Sequence, residues 1–469
     1  MKKLVPLLLL LSSLACASET TEFCLEGEFD LGARYQGLRP LAGEFYAATW
    51  CVITDDESDR VMFSGSGKSN PDMENDWTVA YLPPDVVRIV NRTSPPDVEF
   101  HDAIIDDEIA RVRRIDPRRL AEEIEDTRGR IRGLEITQRD DRIVRVSTTA
   151  DMPLRGRVDV HWLWGWATPD APTLKIVVDN QTLFRATGRW RTLGRAEAEE
   201  AWVRTPGEEP VRVDGDRWPA TVDMKLVEID DGVYLVRGVR TGFQHLVVDT
   251  SEGLVVADAP AGWVEFHQLP PTDLVPGLGT YGLSRRLIEF LAAEFPGRRI
   301  HATALTHAHD DHSGGAKAFA DIDAHVYATP ELAAFFDAAL DIRSIPVTAD
   351  TLIGDRKNRV QLVPLDPGPH ADSMLGVWAI DKGWFFVSDV HVPDSDAAIP
   401  RADRVATECW FAGWAVDNLP ETTRVVNSHS APQTPVLRLR SYLTSGACGG
   451  LEEPSDLRAP GSESMPGVD

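Results

Sequence analysis

The stretch Ile300-His301-Ala302-Thr303-Ala304-Leu305-Thr306-His307-Ala308-His309-Asp310-Asp311-His312-Ser313-Gly314-Gly315 decides how the rest of this chain is read. Its opening, Ile300 to Thr306, predicts a strand. Four groups able to bind a metal (His307, His309, Asp311 and His312) follow it directly. His307 and His309 alternate about Ala308, so an extended turn aims both imidazoles at one point. Asp311 and His312 are adjacent and point differently, which suits a second point beside the first. Imidazole and carboxylate are ligands that zinc favours, and three protein ligands with an open position is the catalytic pattern. The two glycines let the backbone turn tightly and enter a helix at close range.

Further donors lie where predicted strands end. His370 sits in the loop Asp366-Pro367-Gly368-Pro369-His370-Ala371-Asp372-Ser373, after a strand over Val360–Pro364. Asp389 ends the apolar run Trp384-Phe385-Phe386-Val387-Ser388, and His429 ends Val425-Val426-Asn427-Ser428. Strand ends are where sheets flanked by helices gather their active sites.

On these residues the segment from Met224 to Ser445 resembles the metallo-β-lactamase-fold metallohydrolases. The family's His-x-His-x-Asp-His signature matches at His307, His309, Asp311 and His312, and its later histidine, bridging aspartate and last histidine match His370, Asp389 and His429. The resemblance implies an αββα sandwich and a dinuclear site. His307, His309 and His370 would hold one metal, Asp311, His312 and His429 the other, and Asp389 would bridge them. Asp258, ending Gly253-Leu254-Val255-Val256-Ala257, matches an early aspartate whose role in the family is mainly structural. His245 and His391 are placed behind the ligands or as bystanders, as is His267. His301 and His325 are read as packing or surface groups.

Two zinc ions side by side lower the pKa of a shared water from about 15.7 to about 7, giving a bridging hydroxide for attack on an acyl or phosphoryl centre. Asp311 is the residue expected to orient it and pass on its proton. Departures from particular branches narrow the reaction. True β-lactamases of this fold usually carry cysteine or serine where Asp389 stands, and flavodiiron proteins carry glutamate where His309 stands. Mononuclear persulfide dioxygenases would not need Asp311, His312 and His429 all intact. Nuclease branches want a basic surface, and glyoxalase II-like thioesterases handle a cytosolic conjugate. An exported zinc hydrolase cleaving an ester, lactone or related acyl bond of a small molecule is what the resemblance leaves. A β-lactamase or thioesterase of the same fold stays open. So does an envelope lipid- or ligand-binding protein whose metal domain is secondary.

Composition agrees with a folded, exported protein. The chain has 469 residues, 43% of them hydrophobic, and a formal charge of −26. Such length predicts two domains. The acidic balance argues against nucleic acid or an anionic membrane surface as a partner. Met1-Lys2-Lys3 followed by the apolar run Leu4–Leu11 reads as a bacterial export signal over residues 1–16, too short to stay as a spanning helix. Ser13-Leu14-Ala15-Cys16 resembles a lipoprotein box with Cys16 acylated, which would place the protein on the cell envelope. Cleavage before Ser18, releasing a soluble periplasmic protein, is the other reading. In an oxidising compartment Cys24, Cys51, Cys409 and Cys448 allow the disulfides Cys24–Cys51 and Cys409–Cys448, with free thiols as the alternative.

The fold class expected is α+β, with a β-rich antiparallel domain over residues 20–205 before the metal domain over 219–447. Strands are predicted at Trp77–Leu82, Val86–Val90, Arg142–Thr148, Val158–Trp164 and Leu174–Val178, with one helix from Pro117 to about Arg128. His101 and His161 are isolated there. The domain's tryptophans suit either core packing or a ligand groove. Thr205–Pro210 reads as a linker. In the second domain strands are expected over Met224–Val236, Phe243–Asp258 folded at Ser251-Glu252-Gly253, Leu375–Ile380, Trp384–Asp389 and Val425–Ser428. Helices are expected from Ser284 to Phe295, from Pro330, and from Val436 to Leu443. Pro260–Tyr281 and His391–Trp414 read as long loops, serving either as lids or as packing against the first domain. Residues 448–469 read as a disordered tail.

Overall fold

The computed structural model describes 20–30, 35–36, 38–40, 45–55, 60–70, 73–82, 86–94, 98–99, 116–118, 135–140, 142–152, 154, 156–168, 170–178, 180–203 and 211–212. From 224 to 449 it describes everything except 240–242, 262–280, 366–367, 369, 394–399, 401–403 and 430–432. The export signal, His101, the helix beyond Arg118, the linker, His267 with most of its loop, and the tail beyond 449 lie outside the described residues.

Residues 20 to 212 form a twelve-stranded antiparallel sheet. The first strand, Thr20–Asp30, lies at its centre between Phe45–Asp55 and Gln181–Leu193. Alternation explains the two faces. Phe23, Leu25, Trp50, Val52, Trp162, Trp164, Leu174, Ile176 and Phe184 are buried. The opposite face of Thr20–Asp30 carries Glu22 and Glu28, which pair with Arg191 and Arg185 across the register, and Glu26, which pairs with Arg189. Cys24 and Cys51 are direct register partners and form a disulfide. The start of the anticipated helix docks on this sheet. Asp116 accepts a hydrogen bond from the Trp190 indole at 3.1 Å, and the Arg118 guanidinium lies 3.9 Å from the centre of that ring.

The second region is an αββα sandwich. One sheet has seven strands in chain order: Lys225–Asp230, Val233–Arg237, Gln244–Asp249, Leu254–Ala257, Ile300–Ala304, His325–Ala328 and Ser344–Pro346. Pairing is antiparallel up to Leu254–Ala257 and parallel after it. The other sheet orders Thr351–Ile353, Val360–Pro364, Leu375–Ala379, Trp384–Phe386, Arg424–Val426 and Thr434–Pro435. The sheets meet through Leu235, Leu246, Val255 and Ala302 on one side and Leu362, Val377, Trp384 and Phe386 on the other. Outside the first sheet, Leu283, Leu287 and Leu291 of helix Gly282–Glu294 pack with Phe319 and Leu332. Outside the second, Phe411 and Ala415 of helix Val405–Asn418 and Leu439 of helix Val436–Thr444 cover Phe385 and Val425. Central strands covered on both faces need continuous apolar runs, which Leu254–Ala257 and Trp384–Phe386 supply.

Several local expectations need correction. Met224–Val236 is a hairpin, turning at Asp231 and at Gly232 with φ +75°. Ser284 is no cap, because helix Gly282–Glu294 starts before it. Its hydroxyl, buried in the first turn, donates to the Pro260 carbonyl at 2.8 Å. Asp389 lies in a 3-10 turn, Ser388–Val390, beyond the strand end. Much of the supposed loop His391–Trp414 is helix Val405–Asn418, whose apolar side packs into the core. Gly315 is needed for close approach alone, since its φ is −91°. A Cβ there would stand 2.4 Å from the Pro260 carbonyl.

The two regions touch. Leu154, at φ +55° between strands Arg142–Met152 and Gly156–Thr168, is buried within the first sheet's outer core beside Phe336. Behind the second sheet, fully buried His391 and Glu408 fasten helix to turn. The Glu408 carboxylate accepts the Val392 N–H at 3.2 Å, and His391 Nε2 lies 2.9 Å from Thr434 Oγ1. The neighbouring Cys409 is disulfide-bonded to Cys448.

Two outcomes follow. Gly315→Ala is expected to destabilise the fold by about 1–3 kcal/mol through overpacking against backbone, read as a lowered Tm. Burial, then the Arg404 guanidinium, depresses the His391 pKa from the ordinary 6.5 to about 3. Its contribution to stability is therefore complete above pH 6.5 and is lost as pH falls from there toward 3. Chelator-treated His391→Gln should lose stability less steeply over that window than wild type, by up to about 1.4 kcal/mol per pH unit in denaturant titrations. Parallel slopes would refute the assignment.

Candidate metal centre

Parallel pairing of Leu254–Ala257 with Ile300–Ala304 brings two strand ends together. Asp258, at φ +68°, turns its carboxylate across the gap. One oxygen accepts the Thr306 N–H at 2.8 Å, and the other accepts the His312 Nδ1–H at 2.9 Å. A carboxylate only accepts, so His312 carries a hydrogen on Nδ1 and points Nε2 inward, where it must give up a proton before it can ligate. His309 precedes the short helix Asp310–Ser313, and its carbonyl accepts the Ser313 hydroxyl at 2.8 Å.

The two sheets are also tied together beside the ligands. Leu375 N–H donates to the Thr306 carbonyl at 2.7 Å, one residue before His307. Gln244 N–H donates to the Ser428 carbonyl at 2.7 Å, and its side chain to the Asn427 carbonyl at 2.8 Å, just before His429. Phe243 packs on the His429 ring with centroids 4.5 Å apart.

The donors gather into two sets. His307, His309, His370 and Asp389 present one ligand atom each, all within 4.8 Å of one another, and so do His312, Asp389 and His429. His370 Nε2 lies 3.2 Å from His309 Nδ1 and 3.3 Å from Asp389 Oδ2. His312 Nε2 lies 3.2 Å from Asp389 Oδ1, and His429 Nε2 lies 2.9 Å from the same oxygen. Asp311 Oδ2 is 3.4 Å from His312 Nε2, but Asp311 does not join His312, Asp389 and His429 within the common 4.8 Å. Metal–nitrogen bonds of about 2.0–2.1 Å in a tetrahedron put neighbouring donors about 3.3 Å apart. The observed spacings surround that value. His307 Nε2 is buried without a hydrogen bond among the described residues, as metal ligation requires.

Electrostatics prepares the same donors. Burial, then His309, holds the His307 pKa well below the ordinary histidine value, and burial with His370 takes His309 to about 3. Both rings are neutral and offer lone pairs. Burial opposes charge on His312 as well, but Asp311, Asp389 and Asp258 overcome it and raise its pKa well above 6.5. Burial would raise the Asp389 pKa, yet His312 and His429 hold that carboxyl well below its usual range. The side chains of His370 and His429 are 19% and 22% exposed, so the site opens on their side.

His245 and His391 lie outside both donor sets. His245 is fully buried, with Nδ1 donating to the Ala257 carbonyl at 3.0 Å, and so braces the strand end that carries Asp258. His161, 3.3 Å from an Arg145 nitrogen, lies on the first sheet. His301 pairs with Glu252 at 2.8 Å beside His325. Residue reading missed Ser388 and Ser428, whose hydroxyls both donate to Asp389 Oδ1, at 3.1 and 2.7 Å. A signal was there, since each serine directly precedes a predicted ligand at a strand end.

No family model and no curated protein sequence matches the chain. Among solved structures, a metallo-beta-lactamase from Pontibacter korlensis is similar at 19% identity, covering 47% of this chain and 97% of its own, with a TM-score of 0.36. The metallo-beta-lactamase FIM-1 from Pseudomonas aeruginosa in its mono-zinc form is similar at 16% identity, over 48% of this chain and 94% of its own, with a TM-score of 0.35. A double mutant of the sec-alkyl sulfatase PisA1 is similar at 14% identity, over 47% of this chain and 40% of its own, with a TM-score of 0.34. Within the chain itself, two sheets lie face to face with helices outside, and a His-x-His-x-Asp-His turn stands at a strand end of the seven-stranded sheet. By that architecture the second region has the metallo-β-lactamase fold.

Proposed function

We propose that this protein is an exported hydrolase that holds two zinc ions and cleaves an ester, lactone or related acyl bond of a small molecule. The observation carrying this reading is the Asp389 carboxylate, whose Oδ2 faces one donor set and whose Oδ1 faces the other. Imidazole-rich donors with carboxylate oxygens suit zinc over harder cations.

When bound, such ions supply an activated water at neutral pH and a Lewis acid for a developing oxyanion. The chain's own residues supply the remainder. His307 and His309, kept neutral by burial, need lose no proton before they ligate. Asp258 accepts the His312 Nδ1–H and so directs Nε2 into the site, where a bound cation would displace its proton. Asp311, beside His312, is placed to orient a nucleophile and carry its proton to a leaving group. The partly exposed rings of His370 and His429 mark the side from which substrate enters. No serine or cysteine nucleophile is required. At the amino terminus, Cys16 in its lipoprotein-like box supports anchoring to the bacterial envelope.

The zinc-loaded protein lacking residues 1–16 should turn over one class in a panel of esters, lactones, thioesters, phosphodiesters, sulfate esters and β-lactams. Chelation should abolish that turnover. Asp311→Ala should lower kcat by about 10²–10⁴-fold. Silence across the panel with two ions verified per chain would sink the acyl-hydrolase reading. In the full chain, Cys16→Ser should move the protein from the membrane to the soluble fraction, and unchanged fractionation would reject the anchor.

A further inference from the structure

The bridging role of Asp389 needs more than proximity. Rotation about its Cβ–Cγ bond is soft and nearly two-fold. Left to itself, the carboxylate is free to turn both oxygens toward one donor set. The five imidazoles of the two donor sets do not prevent this, because each attracts whichever oxygen is nearer.

Two hydroxyls break the symmetry. Ser428 Oγ donates to Asp389 Oδ1 at 2.7 Å, and Ser388 Oγ donates to the same oxygen at 3.1 Å. Oδ2 faces His370 Nε2 at 3.3 Å and receives neither hydroxyl. Both serines are fully buried. They come from equivalent places, since Phe386 and Val426 are register partners on parallel strands and each serine stands two residues beyond its partner. The backbone adds a second observation. Ser388 has φ +55°, in the left-handed region that glycine occupies without strain. What a glycine would lack is the hydroxyl, and that hydroxyl lies on Asp389 Oδ1. It is also 3.2 Å from His312 Nδ1 and 3.5 Å from His307 Nδ1, one ring of each donor set, so the asymmetry lies in the Oδ1 bonds alone.

We infer that Ser388 and Ser428 are positioning residues that hold Asp389 Oδ1 toward His312 and His429, leaving Oδ2 for His309 and His370, and that without them the centre retains only one ion tightly. The inference rests on the two-ion reading above. Partners of this kind typically govern about 10–100-fold in metal affinity. The loss should fall on the ion served by Oδ1, whereas a general loosening of the fold would weaken both ions together.

The test is zinc titration of the full chain against a chromophoric chelator, with stoichiometry read at equilibrium and folding checked by thermal melting of the metal-free protein. Wild type should take two ions. Ser428→Ala should weaken the second by about 10-fold, and Ser388→Gly with Ser428→Ala by about 100-fold, with the first ion held within about 3-fold. Ser388→Gly alone relieves backbone strain, so it keeps the test valid if the double variant folds poorly. Ser428→Thr, which retains a hydroxyl, should restore the second ion. In a His429→Ala background, Ser428→Ala should leave the remaining ion unaffected. Equal weakening of both ions, or an unchanged second ion in the double variant, overturns the serine assignment and leaves the two-ion reading standing. A wild type that takes fewer than two ions at saturating zinc overturns both.

Discussion

The buried carboxylate of Asp258 sits where two parallel strands end, one oxygen on the Thr306 backbone and the other on the His312 ring. Those two bonds join the edge of the sheet to the ligands that leave it. The Thr306 bond fixes where the chain leaves strand Ile300–Ala304 and hence where His307 begins. The His312 bond fixes a tautomer as well as a ring position. An apolar residue there would leave a backbone donor and an imidazole N–H unsatisfied in a dry site, a cost of about 1–3 kcal/mol for each. The left-handed φ of Asp258 is tolerated because the surrounding bonds over-determine it.

Around that anchor buried imidazoles and carboxylates stand close together, with His312 easier to charge than an ordinary histidine and His307 and His309 harder. Burial keeps His307 and His309 from charging, while Asp311 and Asp389 lie close beside His312. A core built only for stability would hold aliphatic side chains at these positions. Perturbed titration of this density marks a functional site, and the orphaned nitrogen of His307 gives the perturbation a direction. The two sheets are closed over it by the Leu375 and Gln244 backbone bonds, so donors from both halves of the sandwich hold their spacing before any ion is present.

The candidate donors were legible because metal binding restricts residue type and a strand end restricts spacing. His370, Asp389 and His429 appeared in order for the same reason. The αββα layers were expected from the resemblance that the metal-binding residues carried, and the first region's antiparallel strands from alternation. What escaped detection has physical causes. The turn at Asp231-Gly232 is signalled by its own residues, since Asp-Gly between apolar runs favours a two-residue hairpin, and length alone suggested one strand. Helix Val405–Asn418 is apolar around much of its circumference, with Trp410 and Trp414 partly buried, so it lacks the stripe by which a surface helix is read. Ser388 and Ser428 are small polar residues of the kind found in any loop, and only coordinates reveal that two of them converge on one oxygen. The glycine reading was half right: Gly315 answers to a crowding carbonyl, and its backbone angle is one that any residue adopts.

Leu154 carries a consequence for the architecture as a whole. A side chain from the first sheet is built into the hydrophobic layer of the second region, against the helical segment Phe336–Leu340. The sandwich is therefore a socket as well as a frame for the donor cluster, and its plug is encoded far upstream in the chain. Cut away from residues 20–212, it would present an open apolar recess to water and would be prone to self-association. Recombination that exchanged the amino-terminal half for another module would have to supply an equivalent plug.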